Sequence, residues 1–186
     1  MGANRFMEIE LKNWYRMLAP RPVVIVSTVD KKGRVNAAPF SFVMPCSVEP
    51  PLIVFASDPG HHTAKNILAT KEFVINLCRE DMLAKLWECS KAYPAGVSEL
   101  EKAGFTERKS EKVKAPGIKE CYACLECRLN DSFYTGDHII FAGELVRAYV
   151  EDGCFKGGEL VLSKANPVMH VGGKNFALAG KIIKVK

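Results

Sequence analysis

The chain has no apolar run approaching the roughly 20 residues that a membrane helix requires. Its opening shows neither the apolar core nor the cleavage pattern of a secretory leader. The Met1-Gly2 start carries Phe6 where a myristoylation signal wants Ser or Thr. No Walker loop, no GxGxxG fingerprint and no Ser, His and Asp set of hydrolase type occurs, so nicotinamide, if used, does not bind through a Rossmann domain. Internal repeats and low-complexity tracts are absent as well. Charge of one sign is scarce: 26 Lys and Arg stand against 21 Asp and Glu, a net charge of +5. That balance favours anionic ligands mildly but is not the dense basic stripe of a nucleic-acid binder. The lysines of 102–119 and 174–186 read as solvated surface. Seven cysteines, an odd number spread over 186 residues, do not make a disulfide framework. The expectation is a cytoplasmic protein with neither a nucleic-acid nor a membrane partner.

What remains is an ordinary globular composition, 48% hydrophobic and 25% charged. A chain this long buries roughly 70% of its unfolded surface and needs no metal or disulfide staple. We expect one domain over 1–186, with 79–119 as a helical and loop insertion too short and too polar for its own core. Residues 6–18 read as an amphipathic lead-in that covers a barrel end. Val23–Val29 is β-branched and reads as a buried strand, and Asp30-Lys31-Lys32-Gly33 as a hairpin loop. Val35–Met44 is the returning strand, disturbed at Pro39. Leu52–Ala56 follows the break at Glu49-Pro50-Pro51. Thr63 is placed to cap a helix over 64–69. Phe73, Ile75 and Leu77 share one face of the next strand. Residues 121–129 alternate, and His138–Val150 is a long strand with Gly143 at a bulge. Leu160–Leu162 reads as one last short strand, and His170-Val171-Gly172-Gly173 as a loop. Hairpin order with few helices predicts a mainly β, antiparallel barrel.

Two stretches carry chemistry. In Asn36-Ala37-Ala38-Pro39-Phe40-Ser41-Phe42, small residues permit close approach to the backbone, and Pro39 marks a strand edge, start or bulge. In Ser57…Thr63-Ala64-Lys65-Asn66, a helix N-terminus offers free N–H groups and a positive dipole end, which suit a phosphate. Hydroxyls and a lysine would add bonds to that anion. Thr63 as a plain cap, with Asn66 satisfying a turn, is the simpler reading of the second stretch alone. Cys121, Cys124 and Cys127 have a metal-like spacing, but strand alternation puts Cys121 and Cys127 on one face and Cys124 on the other. They read as small buried hydrophobes, and no metal site is expected. Of the four histidines, His61 and His62 stand just before Thr63, and His170 stands beside Gly172-Gly173.

Taken in order, Arg21-Pro22-Val23…Ser27-Thr28-Val29, Gly33…Asn36-Ala37-Ala38-Pro39-Phe40-Ser41, Pro50-Pro51, Thr63-Ala64-Lys65-Asn66-Ile67, Glu72–Asn76, Gly136-Asp137-His138 and Gly143-Glu144 resemble the flavin reductase-like, FMN-binding split-barrel family, in its flavoredoxin-type branch. The resemblance spans about residues 15 to 180. It implies an antiparallel split β-barrel with Greek-key connections and a few peripheral helices. It also implies a homodimer with one FMN per subunit near the interface, reduced by NAD(P)H or a redox protein. By position, Asn36, Ala37, Pro39, Ser41 and Phe42 line the isoalloxazine and ribityl chain. Ser57, Thr63, Lys65 and Asn66 hold the phosphate or adjoining ribityl oxygens. His170 stands on the substrate side, and Phe176 occupies a region where the family often has a tyrosine. No side chain is required as acid or base, since the flavin carries the chemistry. The alternatives are a non-catalytic FMN carrier or storage protein and, from another class, an oligonucleotide-binding barrel, which would want basic residues interleaved with aromatics on exposed strands.

Overall fold

The computed structural model describes residues 6–185; the Met1-Gly2 start lies outside them. A 3-10 helix, Leu11–Leu18, is followed by β1 (Arg21–Pro22), β2 (Val24–Val29), β3 (Val35–Phe40), β4 (Val43–Ser47), β5 (Leu52–Ser57), α1 (His62–Thr70) and β6 (Glu72–Leu77). The next segment holds a 3-10 turn, Glu80–Met82, then α2 (Leu83–Glu88), α3 (Glu99–Ala103), β7 (Glu107–Arg108) and β8 (Gly117–Ile118). Two long strands come next, β9 (Ala123–Thr135) and β10 (His138–Val150). The chain finishes with β11 (Phe155–Lys156), β12 (Glu159–Leu160), α4 (Leu162–Ala165), β13 (Val168–Gly172) and β14 (Asn175–Leu178).

Seven strands form one antiparallel sheet in the order β3-β2-β6-β9-β10-β5-β4. β3 and β4 are its two edges, yet only Ser41 and Phe42 separate them in the chain. The sheet must therefore curl until its edges approach, and the chain steps across the gap. Phe42 is tied to the far side, where its carbonyl accepts from the Ala56 amide at 2.9 Å. Hairpins β2–β3, β4–β5 and β9–β10, linked by longer crossings, make this a split barrel. The single returning strand expected over Val35–Met44 is thus two strands on opposite edges. Pro39, which has no N–H to give, is tolerated because β3 pairs with β2 alone.

The sheet is covered on both faces. Inside lie Val24, Val26, Phe55, Phe73, Ile75, Cys127 and Phe141, with Ile67 of α1. Outside, Val23, Ile25, Ala37, Val74 and Cys124 pack against Met82, Leu86, Leu100, Phe105 and Ile118 of the 79–119 segment. This is why β2 is buried at every position. It is also why the one-faced reading of Phe73, Ile75 and Leu77 captured half of β6, whose Val74 and Asn76 are equally buried. The outer segment is held by buried polar groups. Asn76 donates to the Ile25 carbonyl (3.0 Å) and accepts from the Ile118 amide (2.9 Å), and Ser27 donates to the Pro116 carbonyl. Glu126 accepts from the amides of Glu111 (3.0 Å) and Lys112 (2.6 Å). Gly143 does sit at a register shift. A Cβ there would stand 2.3 Å from the Phe73 ring, a distance that no side chain can occupy.

Three further expectations are corrected. None of the residues Leu11–Leu18 is buried, and Leu11 and Trp14 expose 82% and 54% of their surface, so the lead-in leaves its apolar side open. After the short strand at Leu160 the chain does not end in a loop. His170 lies in the β13–β14 hairpin, paired with Arg21 and Phe176. Lastly, β9 begins at Ala123, so Cys121 precedes the strand and joins Cys124 in the outer cluster while Cys127 points inward. Burial pushes all three thiols up.

Candidate functional site

Three adjoining clefts meet at Pro39 and Phe40, near the split. The first, about 360 Å³, runs between β3 and the start of α1, where Asn36 and Thr63 face Lys91, Tyr93 and Glu99 of the outer segment. The second, about 330 Å³, lies between Trp87 and the β13–β14 hairpin and holds Ser41 and His170. The third, about 190 Å³, contains Ser41, Phe42, Ser57, His61 and His138. The two larger volumes fall in the range of small-molecule and cofactor sites.

Helix α1 begins at His62, and its N-cap is His61, not Thr63. No side chain caps the helix, and the first intrahelical bond runs from Lys65 N to His61 O at 3.2 Å. The earlier N–H groups have no partner within the helix, and the dipole's positive end opens beside the first cleft. Thr63 is fully buried one residue into the helix because its hydroxyl is engaged by the Asn36 amide at 3.0 Å. Turned with its nitrogen toward Glu99 Oε1 (3.3 Å), that amide accepts from Thr63 Oγ1 and satisfies both ends. Glu99 Oε2 accepts from the Ala37 amide at 3.0 Å. Burial drives the Glu99 carboxyl above its ordinary range, opposed by that amide bond and by His62.

Asn36, Pro39 and Thr63 thus share one cleft, and Ser41, Phe42 and Ser57 share another. Ser57 donates to the Asp58 carbonyl at 3.2 Å and lies 3.3 Å from His61 Nδ1. His170 is brought to Ser41 at 3.1 Å. Ala37 is fully buried behind the cleft wall and contributes its amide rather than a surface. Lys65 is exposed one turn along α1, and Asn66 donates to Thr28 Oγ1 at 3.0 Å; neither lines these clefts. Glu99, Lys91, Tyr93 and Trp87 were not foreseen, since they come from a segment without a motif. His138 was passed over although it ends Gly136-Asp137-His138. Among the described residues no group of three or more His, Cys, Asp or Glu side chains could hold a metal ion.

The Flavin reductase like domain matches residues 15–174. The chain belongs to the flavin reductase-like family. An uncharacterized protein of Aquifex aeolicus is 37% identical, covering 91% of this chain and 90% of its own. The structure of nitrilotriacetate monooxygenase component B from Bacillus cereus superposes with a TM-score of 0.88 at 28% identity, over 98% of this chain and 100% of that one. Flavoredoxin from Methanosarcina acetivorans shares the fold with a TM-score of 0.85 at 23% identity, over 98% and 95% of the two chains. No described helix is long and apolar enough to cross a membrane. The family points to flavin binding.

Proposed function

We propose that this chain is an FMN-dependent oxidoreductase, holding the flavin where the clefts join and passing electrons from NAD(P)H or a redox protein to an acceptor. The observation that carries the reading is the uncapped N-terminus of α1, which opens into a cleft floored by the small and rigid residues of β3. A flat ring needs such a floor, and a phosphate needs such a helix end. The residues present fit the group. Backbone N–H groups of His62 and Thr63, with the Ser57 hydroxyl, would hold the phosphate, and Lys65 would add charge from outside. Asn36, Pro39, Ser41 and Phe42 would border the ribityl chain and ring. When bound, the flavin supplies hydride and one-electron transfer. The protein orients it and excludes water on the side that the outer segment covers.

The same reading takes the chain as a cytoplasmic homodimer. Trp14, Leu18 and Met44 support the dimer, since they expose apolar surface close to Phe42. Segment 79–119 is an insertion within one domain, supported by the cluster that it shares with β2, β3 and β6.

The test is the visible spectrum of the purified protein before and after addition of FMN, followed by a steady-state assay with NADH or NADPH. Bound flavin with turnover supports the proposal. Bound flavin without turnover on either nucleotide or on a reduced redox protein makes the chain a carrier. A colourless chain that neither binds nor reduces FMN ends both readings.

A further inference from the structure

The wall of the first cleft opposite α1 holds a carboxyl that no cation neutralises. Glu99 opens α3 and is 6% exposed. β3 offers it only the amides of Asn36 and Ala37. α1 brings His61 and His62 to the cleft, and the stretch after α2 brings Cys89, Lys91 and Tyr93. Lys91 is paired with Glu88 at 2.6 Å, and Tyr93 donates to the same carboxylate. Among the described residues no ion pair reaches Glu99.

Asn36 lies between this carboxyl and the first turn of α1, and its amide can meet both in two ways. With its nitrogen toward Glu99 Oε1 (3.3 Å) it donates to a carboxylate, and its oxygen accepts from the Thr63 hydroxyl at 3.0 Å. Turned over, its nitrogen donates to Thr63 Oγ1 at 3.0 Å and its oxygen faces Glu99 Oε1. Two oxygens so placed need a hydrogen between them, so the second arrangement belongs to the carboxylic acid. Glu99 Oε2 accepts from the Ala37 amide in both. The two states differ in what Thr63 has left. Beside the carboxylate, its hydroxyl hydrogen is committed to Asn36. Beside the acid, the hydroxyl oxygen receives a hydrogen from Asn36, and its own hydrogen is free to be donated in the cleft that Thr63 lines.

We infer that Glu99 is a positioning residue of the first cleft: a proton taken up on its carboxyl turns the Asn36 amide and releases the Thr63 hydroxyl as a donor to a bound phosphate. The inference rests on the proposed FMN site. The proton comes from solvent and stays on Glu99 Oε1. An anion in the same cleft also repels the carboxylate, so charge and hydrogen bonding act in one direction. The complex then holds the proton more tightly than the free chain does. By linkage, FMN affinity is full below the range in which Glu99 ionises in the free chain. It falls as the pH rises through that range toward the higher value in the complex.

The experiment is equilibrium titration of the full chain and of Glu99→Gln with FMN and with riboflavin, which lacks the phosphate, from about pH 5 to about pH 8. The amide of Glu99→Gln donates to Asn36 as the acid does and carries no charge, so the variant is held in the releasing arrangement. It should bind FMN about tenfold tighter than the unaltered chain near neutral pH, the equivalent of one displaced pKa unit, with the two curves converging in acid. Ionisation of the FMN phosphate is common to both proteins and cancels in the ratio. Riboflavin should bind both proteins alike at every pH. A ratio for FMN that does not change with pH, or the same ratio with riboflavin, overturns the inference and leaves flavin binding intact. Absence of FMN binding to the unaltered chain at every pH overturns the proposed function and this inference together. If Glu99→Gln does not fold, calorimetry of the unaltered chain in two buffers of different ionisation heat decides. Net proton uptake with FMN that exceeds any with riboflavin supports the inference. Release, no exchange, or equal uptake with riboflavin overturns it.

Discussion

The two apolar clusters that sandwich the sheet are built in different ways. The inner one draws on the barrel strands and on α1, with Phe55 5.5 Å from the Phe73 ring and stacked on Phe141 at 5.4 Å. Every part of it is barrel strand or the single helix that plugs the barrel. The outer cluster is a partnership: one half is sheet, and the other is a segment of short helices and loops that has no continuous sheet of its own. The inner cluster makes the fold, whereas the outer one makes the wall of the first cleft. The first cleft therefore lies between the self-sufficient half and the half that depends on it. Such a division is expected where binding surfaces are drawn from the weaker cooperative units of a protein.

Phe73→Ala tests the inner half and should have the largest effect. It empties a fully buried ring site, and such truncations cost about 3–5 kcal/mol. Because Val74 and Asn76 on the same strand hold the outer segment, both clusters should unfold in one transition. A thermal melt followed by near-ultraviolet circular dichroism and by tryptophan fluorescence should show coincident, lowered midpoints. Separate midpoints would mean that the clusters are independent.

Leu100→Ala strikes the outer half, where Leu100 is 1% exposed. The cost expected is about 2–5 kcal/mol, in the lower part of that range if the short helices relax into the space. Amide exchange should quicken over 80–119 while β9 and β10 keep their protection. Equal loss of protection in β9 and β10 would erase the distinction drawn between the two halves.

The same division explains what could be read from residues alone. Val24–Val29, Leu52–Ser57 and His138–Val150 announce themselves because β-branched and aromatic residues are dense there and covered on both faces. Pro39 signalled an edge strand through the missing N–H. The pairing across the split could not be read, because Ser41 and Phe42 look like strand continuation until the sheet's curvature sends the chain to the other edge. The β13–β14 hairpin escaped because it is short and half exposed, and its glycines suggested a loop. Glu99 and Trp87 escaped for another reason: their places in the clefts depend on how the outer segment folds back, and no local periodicity encodes that. The β3 and α1 wall of the site carried motifs, whereas the opposite wall exists only in three dimensions.

Thr63→Val sharpens the contrast between those walls. It keeps the shape at the start of α1 and removes the hydroxyl that meets Asn36. If Asn36 borders the ribityl chain as proposed, losing the hydroxyl that holds its amide should lower FMN affinity by about 1–3 kcal/mol, read by equilibrium titration. Unchanged affinity in a folded variant would show that the Thr63 and Asn36 pair does not order the flavin site.

The smallest effect expected is from Glu99→Gln, and it belongs to the opposite wall. Burial raises the Glu99 carboxyl above its usual 4.5 in the folded chain, so the folded state binds that proton more tightly than the unfolded state does. The stability contributed by the protonated form is complete below the ordinary carboxyl range and is lost as pH rises through the raised folded value. The amide introduced by Glu99→Gln cannot ionise, and its carbonyl can still accept from the Ala37 amide. The melting temperatures of the two proteins should therefore agree most closely in acid. They should diverge in favour of the variant as the pH climbs toward neutrality, then run parallel. A constant difference at every pH would mean that Glu99 carries no such burden and that the cleft wall holds its charge in water-like surroundings. Divergence in favour of the unaltered chain as the pH climbs would reverse the sign, and would show the carboxylate to be stabilised by its amide and His62 more than it is opposed by burial.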